Sequence, residues 1–281
     1  MRQIRHATIL ACLAMLVTAS AQPLAGQDRP TRSQAEIARD LRSHDRDTVA
    51  RALGEVPLDY DPEDLLGWRF PPDYVVTPEL SAALISAMDR EARLHMDGCT
   101  VTGFEGTRYL ELSLELMHYV IALRDPASIP ALVQMICSGG AVRQALMEFG
   151  PAIVPHVVEW ARSPDAARSD VTGALLALSS AVERFADAMP TEMRASIKDV
   201  ALLHLGAPQK RFVEPWDGRY VLQRAITLAS VVRDPDLLMA LDGIATDGHE
   251  VLDDLDPEVA ADLRDMAKRG LAAPVWEMRY R

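Results

Sequence analysis

The sequence predicts an all-α protein built from repeated pairs of helices. A five-residue pattern recurs along the chain, in which an apolar residue and two variable residues precede an alanine and an aliphatic residue. Two segments that begin with proline also match each other, and no stretch alternates convincingly between apolar and polar residues as a half-buried strand does. With 281 residues, 49% of them hydrophobic, the chain can form one substantial core.

The N-terminal segment has the layout of a secretory signal peptide. Two arginines precede an apolar run over residues 7–17, and the small-residue triplet Ala19-Ser20-Ala21 follows. A transmembrane anchor needs about 20 consecutive apolar residues, and this run is shorter. We therefore expect cleavage after Ala21, with Gly26 as the second choice.

This interpretation predicts four parts of the chain and its location. They are a signal peptide at residues 1–21, a flexible mature N-terminus at 22–32, a helical repeat domain at 33–270 and a C-terminal tail at 271–281. The mature protein would be periplasmic or secreted. A lipoprotein anchored through Cys12 is the disfavoured alternative, because the apolar run continues beyond that cysteine.

The charge of the chain excludes some partners. The formal net charge is −12, and cleavage after Ala21 removes two basic and no acidic residues, which leaves −14. Such a charge repels phosphate backbones, so we expect no nucleic-acid partner. We also expect no membrane span in the mature chain.

The mature chain keeps two cysteines, Cys99 and Cys137. In an oxidising compartment two cysteines can form one disulfide, and we place this pairing slightly ahead. Two buried free thiols are the alternative.

Apolar spacing together with proline and glycine boundaries predicts twelve helices. They cover residues 34–43, 47–54, 78–96, 108–123, 128–136, 141–149, 151–161, 166–188, 191–205, 220–232, 235–245 and 257–268. The proline-rich stretch 57–78 interrupts this order. Because it carries four aromatic residues, we interpret it as a packed connector rather than a flexible linker. A second, smaller insert is predicted at residues 206–218.

The five-residue pattern places apolar groups at i, i+3 and i+4 on one helix face, and its alanine allows a neighbouring helix to approach closely. It occurs at residues 49–53, 80–84, 142–146, 171–175 and 222–226. The step from 80 to 142 is twice the step from 49 to 80. Residues 112–116 fill the skipped place, with Glu115 instead of the alanine. The spacing therefore predicts successive copies of one unit.

The motif order resembles that of HEAT repeats. An Asp125-Pro126 turn leads into a helix start at 127–133 that matches the start at 152–158, and residues 141–146 read Ala-Val-Arg-Gln-Ala-Leu. Proline in the first turn of a helix is tolerated because its missing N–H would be unpaired there. The resemblance is strongest over residues 125–178. It implies a right-handed α-solenoid of HEAT-like antiparallel helix pairs, with about 10–12 helices.

In such a solenoid the second helix of each pair lines an extended face, which is the default binding surface. The predicted protein-binding residues on that face, chosen by position in the repeat, are Arg143, Gln144, Arg168, Asp170, Arg219 and Arg224. The expected partner is another protein. Together with the signal-peptide layout, the resemblance predicts an exported, non-catalytic interaction module or scaffold.

Catalytic and metal-binding motifs are incomplete in this sequence. His249-Glu250 carries only the first half of the zinc-protease motif, and neither a nucleophile elbow nor a phosphate-binding loop is found. We predict no enzymatic activity, no cofactor and no metal. The alternative is an enzyme or enzyme regulator on a HEAT-type scaffold, which would need His95, His118 and His156 to meet carboxylates in one cleft.

Overall fold

The computed structural model describes residues 32–272, except for 65, 96–105, 139, 165, 167, 207–214, 247–249 and 254. The chain divides into two compact units, Met1–Ser33 and Gln34–Arg281, and all the described secondary structure belongs to the second. The predicted signal peptide with its cleavage sites, Cys12, Cys99 and His249 lie outside the described residues, as do residues 273–281 of the predicted tail.

Twelve α-helices make up most of the described part. In chain order, six consecutive pairs are α1 (Gln34–Leu41) with α2 (Arg46–Leu53), α3 (Pro78–His95) with α4 (Gly106–Leu123), α5 (Ile129–Gln134) with α6 (Gly140–Glu148), α7 (Val154–Arg162) with α8 (Arg168–Phe185), α9 (Thr191–Gly206) with α10 (Pro215–Val232), and α11 (Pro235–Ala245) with α12 (Pro257–Ala272). All twelve predicted helices are present. The prediction of an all-α protein is confirmed.

Some helix boundaries differ from the prediction. Helix α10 begins at Pro215, inside the predicted insert 206–218, because a proline in the first turn leaves unmade only a hydrogen bond that would be missing there anyway. Helix α8 ends at Phe185, earlier than predicted, and continues as a 3-10 turn. The 3-10 turns of the described part are Pro126–Ser128, Ile136–Ser138, Gly150–Ile153, Ala186–Ala188 and Glu250–Leu252.

The same Arg-Asp-Pro turn joins α4 to α5 and α10 to α11. Its aspartate carboxylate accepts a backbone N–H of the next helical turn, at 2.9 Å for Asp125 and 3.0 Å for Asp234. Its arginine has a positive φ of 50° at Arg124 and 54° at Arg233, a conformation that costs an L-residue about 1 kcal/mol. Both arginine side chains contact other parts of the fold. Arg124 Nη2 lies 2.5 Å from an oxygen of Asp64, and Arg233 Nη1 donates to a main-chain carbonyl of α12 at 3.0 Å. These bonds offset the strained backbone.

Contacts between the helices follow the chain order. Each first helix contacts its own second helix, and the first helices α1, α3, α5, α7, α9 and α11 contact one another in succession. The second helices α4, α6, α8, α10 and α12 do the same. The described helices therefore form two rows, in which the extensive contacts join helices no more than two places apart along the chain.

The five-residue pattern supplies much of the core. Its apolar residues and its alanine are buried in the copies on α2, α6, α8 and α10. The copy at 80–84 is also buried, but it lies on α3, whereas 112–116 lies on α4, the partner of α3. The prediction that these two segments are successive copies of one unit is therefore wrong. Any amphipathic helix with a buried alanine satisfies the pattern, so it does not separate first helices from second ones.

Residues 57–78 form a packed connector, as predicted, and the connector covers α4. It holds a two-stranded antiparallel hairpin in which Asp59–Tyr60 pairs with Trp68–Arg69. The ring of Trp68 stacks on His118 with centroids 4.3 Å apart. The Tyr119 hydroxyl lies 3.2 Å from the carbonyl oxygen of Leu53, to which it donates. The hairpin is too short to show an alternating pattern, which is why the sequence did not predict its strands.

Helix α12 approaches α10 closely where Gly270 faces Ser230. A Cβ atom at position 270 would collide with Ser230 Oγ and lie 3.1 Å from Ser230 Cβ. We expect Gly270→Ala to lower the free energy of unfolding by about 1 kcal/mol, because overpacking outweighs the better helix propensity of alanine. Urea denaturation measures this change.

Two further variants check this explanation. Ser230 Oγ donates only within its own helix, to Ile226 O at 2.7 Å, so Ser230→Ala removes the obstacle without breaking a contact between helices. The double variant Ser230→Ala/Gly270→Ala should therefore be more stable than Gly270→Ala alone. Gly206→Ala at the end of α9, where a Cβ atom meets open space, should cost nothing. Equal losses at positions 206 and 270 would contradict the collision.

Candidate binding surface

The predicted binding residues lie on three consecutive second helices, α6, α8 and α10. Arg143 and Gln144 are half-buried on α6, and Arg224 is half-buried on α10. Arg168 and Arg219 belong to α8 and α10, but their side chains lie outside the described part. We call the solvent side of α6, α8 and α10 that carries Arg143 and Arg224 the second-helix face.

Asp170 lies in the first turn of α8 and is buried, with only 5% of its surface exposed. It was predicted to contact a partner from the face of the solenoid. A side chain that is covered in the free protein offers little surface to a partner, so Asp170 fits a structural role at the start of α8 better than a place on the second-helix face.

Arg143 on α6 and Arg224 on α10 are 81 positions apart in the sequence. Burial and, as a second cause, the positive charge of Arg224 lower the pKa of Arg143. Helix α8 lies between them in the row, since it contacts both α6 and α10.

The arginine pair has no acidic neighbour at ion-pair distance among the residues that the structure describes. Elsewhere, half-buried arginines share a carboxylate: Arg46 Nη2 lies 2.7 Å from Glu91 Oε2, and Arg90 Nε lies 3.7 Å from the other oxygen of Glu91. Two like charges that are partly removed from water and lack a counter-ion are costly. This cost sets Arg143 and Arg224 apart in a chain with a net charge of −12.

Successive first helices, in contrast, are joined by ion pairs. Their cations face carboxylates of the neighbouring first helix at N to O distances of 3.3 Å for Arg42 and Glu79, 3.5 Å for Arg162 and Asp199, and 3.0 Å for Lys198 and Asp236. These pairs satisfy the charges of the first-helix row within the protein itself. A comparable pair joins two second helices, since Arg184 Nη2 of α8 lies 3.6 Å from Glu148 Oε1 of α6, so Arg143 and Arg224 are unmatched in a row that also carries an ion pair.

Helix α8 has two small residues at the places in the pattern that the arginines occupy on α6 and α10. In the five-residue pattern Thr172 occupies the position that Arg143 holds on α6, and Gly173 occupies the position of Arg224 on α10. Gly173 is a close-approach site, because a Cβ atom there would lie 3.0 Å from Ile136 O. The Thr172 hydroxyl is buried and has no hydrogen-bond partner among the described residues. Thr172 is not among the predicted binding residues, although an alignment of the copies of the pattern places it at the position of Arg143.

The histidines considered for catalysis do not form a described cluster. His118 stacks on Trp68, and burial lowers its pKa. His156 lies on α7 rather than on α4, and the side chain of His95 lies outside the described part. His204 is buried, with its Nε2 atom 2.9 Å from Ala161 O. In the described residues, no three His, Cys, Asp or Glu side chains are grouped so that they could hold a metal ion.

Cys137 is disulfide-bonded, and its partner lies outside the described residues. Cys137 belongs to the 3-10 turn Ile136–Ser138, which packs against α8. The pairing of Cys137 with Cys99 stays a prediction.

A surface cavity of about 590 Å³ lies on the first helices, between α7 and α9. Its lining includes Pro155, Glu159 and Arg162 of α7 and Ser196 of α9. None of the six predicted binding residues lines it. The cavity is open, and its cation Arg162 already faces Asp199.

No helix among the described residues combines the length and the apolar character that a membrane crossing requires. The sequence matches no family model, no curated protein and no solved structure.

Proposed function

We propose that this chain is an exported scaffold protein whose two rows of helices form an α-solenoid of HEAT-like pairs, and that it binds another protein through the second-helix face. Support for the solenoid comes from the contacts, which join helices no more than two places apart along the chain. In repeat arrays each unit contacts its neighbours in the same way. Support for export comes from the signal-like layout of residues 1–21.

The observation that carries the binding proposal is the unmatched arginine pair. Arg143 and Arg224 were selected by repeat position alone, and both are half-buried on second helices without a carboxylate at ion-pair distance among the described residues. Within a stable fold, partly desolvated like charges without a counter-ion are commonly retained for binding. Binding, rather than catalysis, is proposed because unmatched arginines on a surface can attract an acidic partner.

The proposed function is tested by a crosslinking pull-down from the native periplasmic fraction. The bait is the mature chain, compared with Arg143→Glu/Arg224→Glu and with the matched control Arg39→Glu/Arg194→Glu. The control changes the net charge equally, at exposed sites on the first helices α1 and α9. We expect a partner whose recovery falls about tenfold in the first variant and stays unchanged in the control.

Two outcomes would contradict the proposal. Recovery that survives the reversal of both arginines would exclude the second-helix face as the binding surface. Equal loss in the control would show that the partner responds to net charge alone. Circular dichroism of all three proteins establishes that each variant is folded before the comparison is made.

A further inference from the structure

The connector 57–78 carries an aromatic surface that the proposed function does not use. We propose that the exposed ring of Tyr60, held beside Trp68 on the acidic hairpin of this connector, is a binding site for an arginine side chain of a partner polypeptide. The site goes beyond the second-helix face, because the hairpin packs on α4, whereas that face belongs to α6, α8 and α10.

The rings of Tyr60, Trp68 and His118 follow one another from the hairpin to α4. Tyr60 and Trp68 are directly opposite in the hairpin register, with ring centroids 4.9 Å apart and an angle of 59° between the planes. Trp68 in turn stacks on His118 of α4, with centroids 4.3 Å apart and 19° between the planes. The packing of Trp68 on a helix therefore holds the Tyr60 ring in place.

The backbone of the hairpin fixes the Tyr60 ring further. Gly67 has a φ of 74°, which favours glycine, and its carbonyl oxygen accepts the Asp61 N–H at 2.6 Å. A Cβ atom at position 67 would lie 2.5 Å from Tyr60 Cε2, so a larger residue there would displace the ring. An aromatic side chain that is already fixed loses little conformational freedom on binding, and this favours affinity.

Tyr60 stays exposed although its neighbours are covered. Its exposed fraction is 62%, whereas Trp68 is half-buried and Leu66 is 7% exposed. The face of an aromatic ring carries partial negative charge and attracts a cation that lies over it. A fixed and exposed tyrosine ring therefore offers a contact surface for a cationic side chain.

The charge of the connector favours such a cation. Residues 57–78 include five acidic residues and one basic residue, Arg69. Arg69 Nη1 lies 2.7 Å from Asp61 Oδ2, and Arg124 Nη2 lies 2.5 Å from Asp64 Oδ2, so both arginines already face a carboxylate. The other acidic residues of the connector are exposed and form no ion pair with the described part of the chain; they are Asp59, Glu63 and Asp73.

An arginine side chain fits this combination better than a neutral group. Its planar guanidinium can stack on the Tyr60 ring while it donates hydrogen bonds to a carboxylate. A proline ring or another neutral group could cover the tyrosine, but it would not use the excess negative charge of the connector. The acidic connector thus selects the cation, and the ring gives it a place to lie.

The test is a nuclear magnetic resonance titration of the isotope-labelled mature chain at physiological ionic strength. The local probe is the Trp68 indole N–H signal, which is assigned by its loss in Trp68→Phe. One short peptide carries two arginines in an alanine-serine background, and the other carries glutamines at the same places. We expect the arginine peptide to shift this signal and to bind at least about tenfold more tightly than the glutamine peptide.

Variants of Tyr60 separate the aromatic ring from apolar bulk. Tyr60→Leu should weaken binding of the arginine peptide about threefold, because it removes the ring face, whereas Tyr60→Phe should retain the affinity. The matched control is Tyr220→Leu on α10, where the tyrosine is 47% exposed, and it should leave the affinity unchanged.

A second pair of variants separates local charge from net charge. Asp59→Asn/Glu63→Gln removes two exposed carboxylates of the connector and should weaken binding of the arginine peptide about threefold. Glu192→Gln/Asp242→Asn changes the net charge equally at exposed sites on α9 and α11, and it should have a smaller effect. These four positions are exposed, so the comparison holds even if Tyr60→Leu disturbs the hairpin.

Several results would overturn the arginine site. They are equal affinity for the two peptides, no binding of either, equal losses in Tyr60→Leu and Tyr220→Leu, and equal losses in the two double variants. Displacement of the arginine peptide by tetramethylammonium at similar concentration would also overturn it, because the ligand would then be a quaternary ammonium group. Circular dichroism establishes that each variant is folded. None of the variants changes Arg143 or Arg224, so the outcome is separate from that of the pull-down.

Discussion

Replacing Glu91 by glutamine should lower the free energy of unfolding by about 3 kcal/mol, because it removes the buried carboxylate that faces two half-buried arginines. Glu91 lies on α3 with only 1% of its surface exposed. Its Oε2 atom accepts a hydrogen bond from Arg46 Nε at 2.8 Å and lies 2.7 Å from Arg46 Nη2. Arg90, whose Nη2 atom donates to Leu41 O at 3.2 Å, lies beside the other carboxylate oxygen. The carboxylate thus joins α3 to α2, and Arg90 beside it joins α3 to α1.

Urea denaturation of Glu91→Gln and of a control on the same helix measures this effect. Glu79 pairs with Arg42 at 3.3 Å, but both side chains are about half exposed, 52% and 47%. An ion pair of that kind contributes at most about 1 kcal/mol, so Glu79→Gln should be close to neutral. If the two glutamines cost the same, Glu91 does not act as a buried counter-ion.

The position of Glu91 was visible in the sequence, but its partners were not. Helix α3 carries an apolar stripe made of Leu80, Leu84, Ala87 and Met88. Glu91 continues this stripe, because it lies four positions after Ala87 and three after Met88. A charge in such a stripe signals a buried group that needs a partner. The partner Arg46 lies 45 positions earlier, and local periodicity gives no information about contacts at that distance.

The helices could be predicted because their signals are local. Proline in the first turn, an aspartate cap and apolar spacing of three and four residues act within one or two turns, and all twelve predicted helices were found. The assignment of 80–84 and 112–116 failed because it depended on which helices face one another. The connector 57–78 changed that arrangement by covering α4, and a repeat period does not contain this information.

The candidate site was predictable to the same extent. Position in the repeat selected Arg143 and Arg224 as residues of one face, although they occupy neighbouring rather than equivalent places in the pattern. Whether side chains on α6 and α10 meet depends on the rotation between successive repeats and on the size of the residues on α8. For the same reason Asp170, which was also selected by its position in the repeat, proved to be buried.

Helix α4 buries a different side of the five-residue pattern than α6 does, and this difference gives a second large predicted effect. At the alanine position of the pattern, α6 has Ala145, which is buried, whereas α4 has Glu115, which is exposed. On α4 the core instead receives Ser113, two positions earlier, because the connector covers the other side of this helix. The same glutamate should therefore be tolerated at 115 and not at 145. We expect Ala145→Glu to cost more than about 4 kcal/mol, since it buries a charge without a partner.

The comparison needs a control for glutamate on α6 itself. Ala141 lies one turn before Ala145, in the first turn of the helix, and is exposed. Ala141→Glu should change the free energy of unfolding by less than about 0.5 kcal/mol, and Glu115→Ala should be similarly mild. Thermal and urea denaturation of the three variants should then show one severe loss and two small changes. If Ala145→Glu unfolds at the same urea concentration as Ala141→Glu, the core is not closed at α6. In that case the pattern does not define the packed face of the second helices.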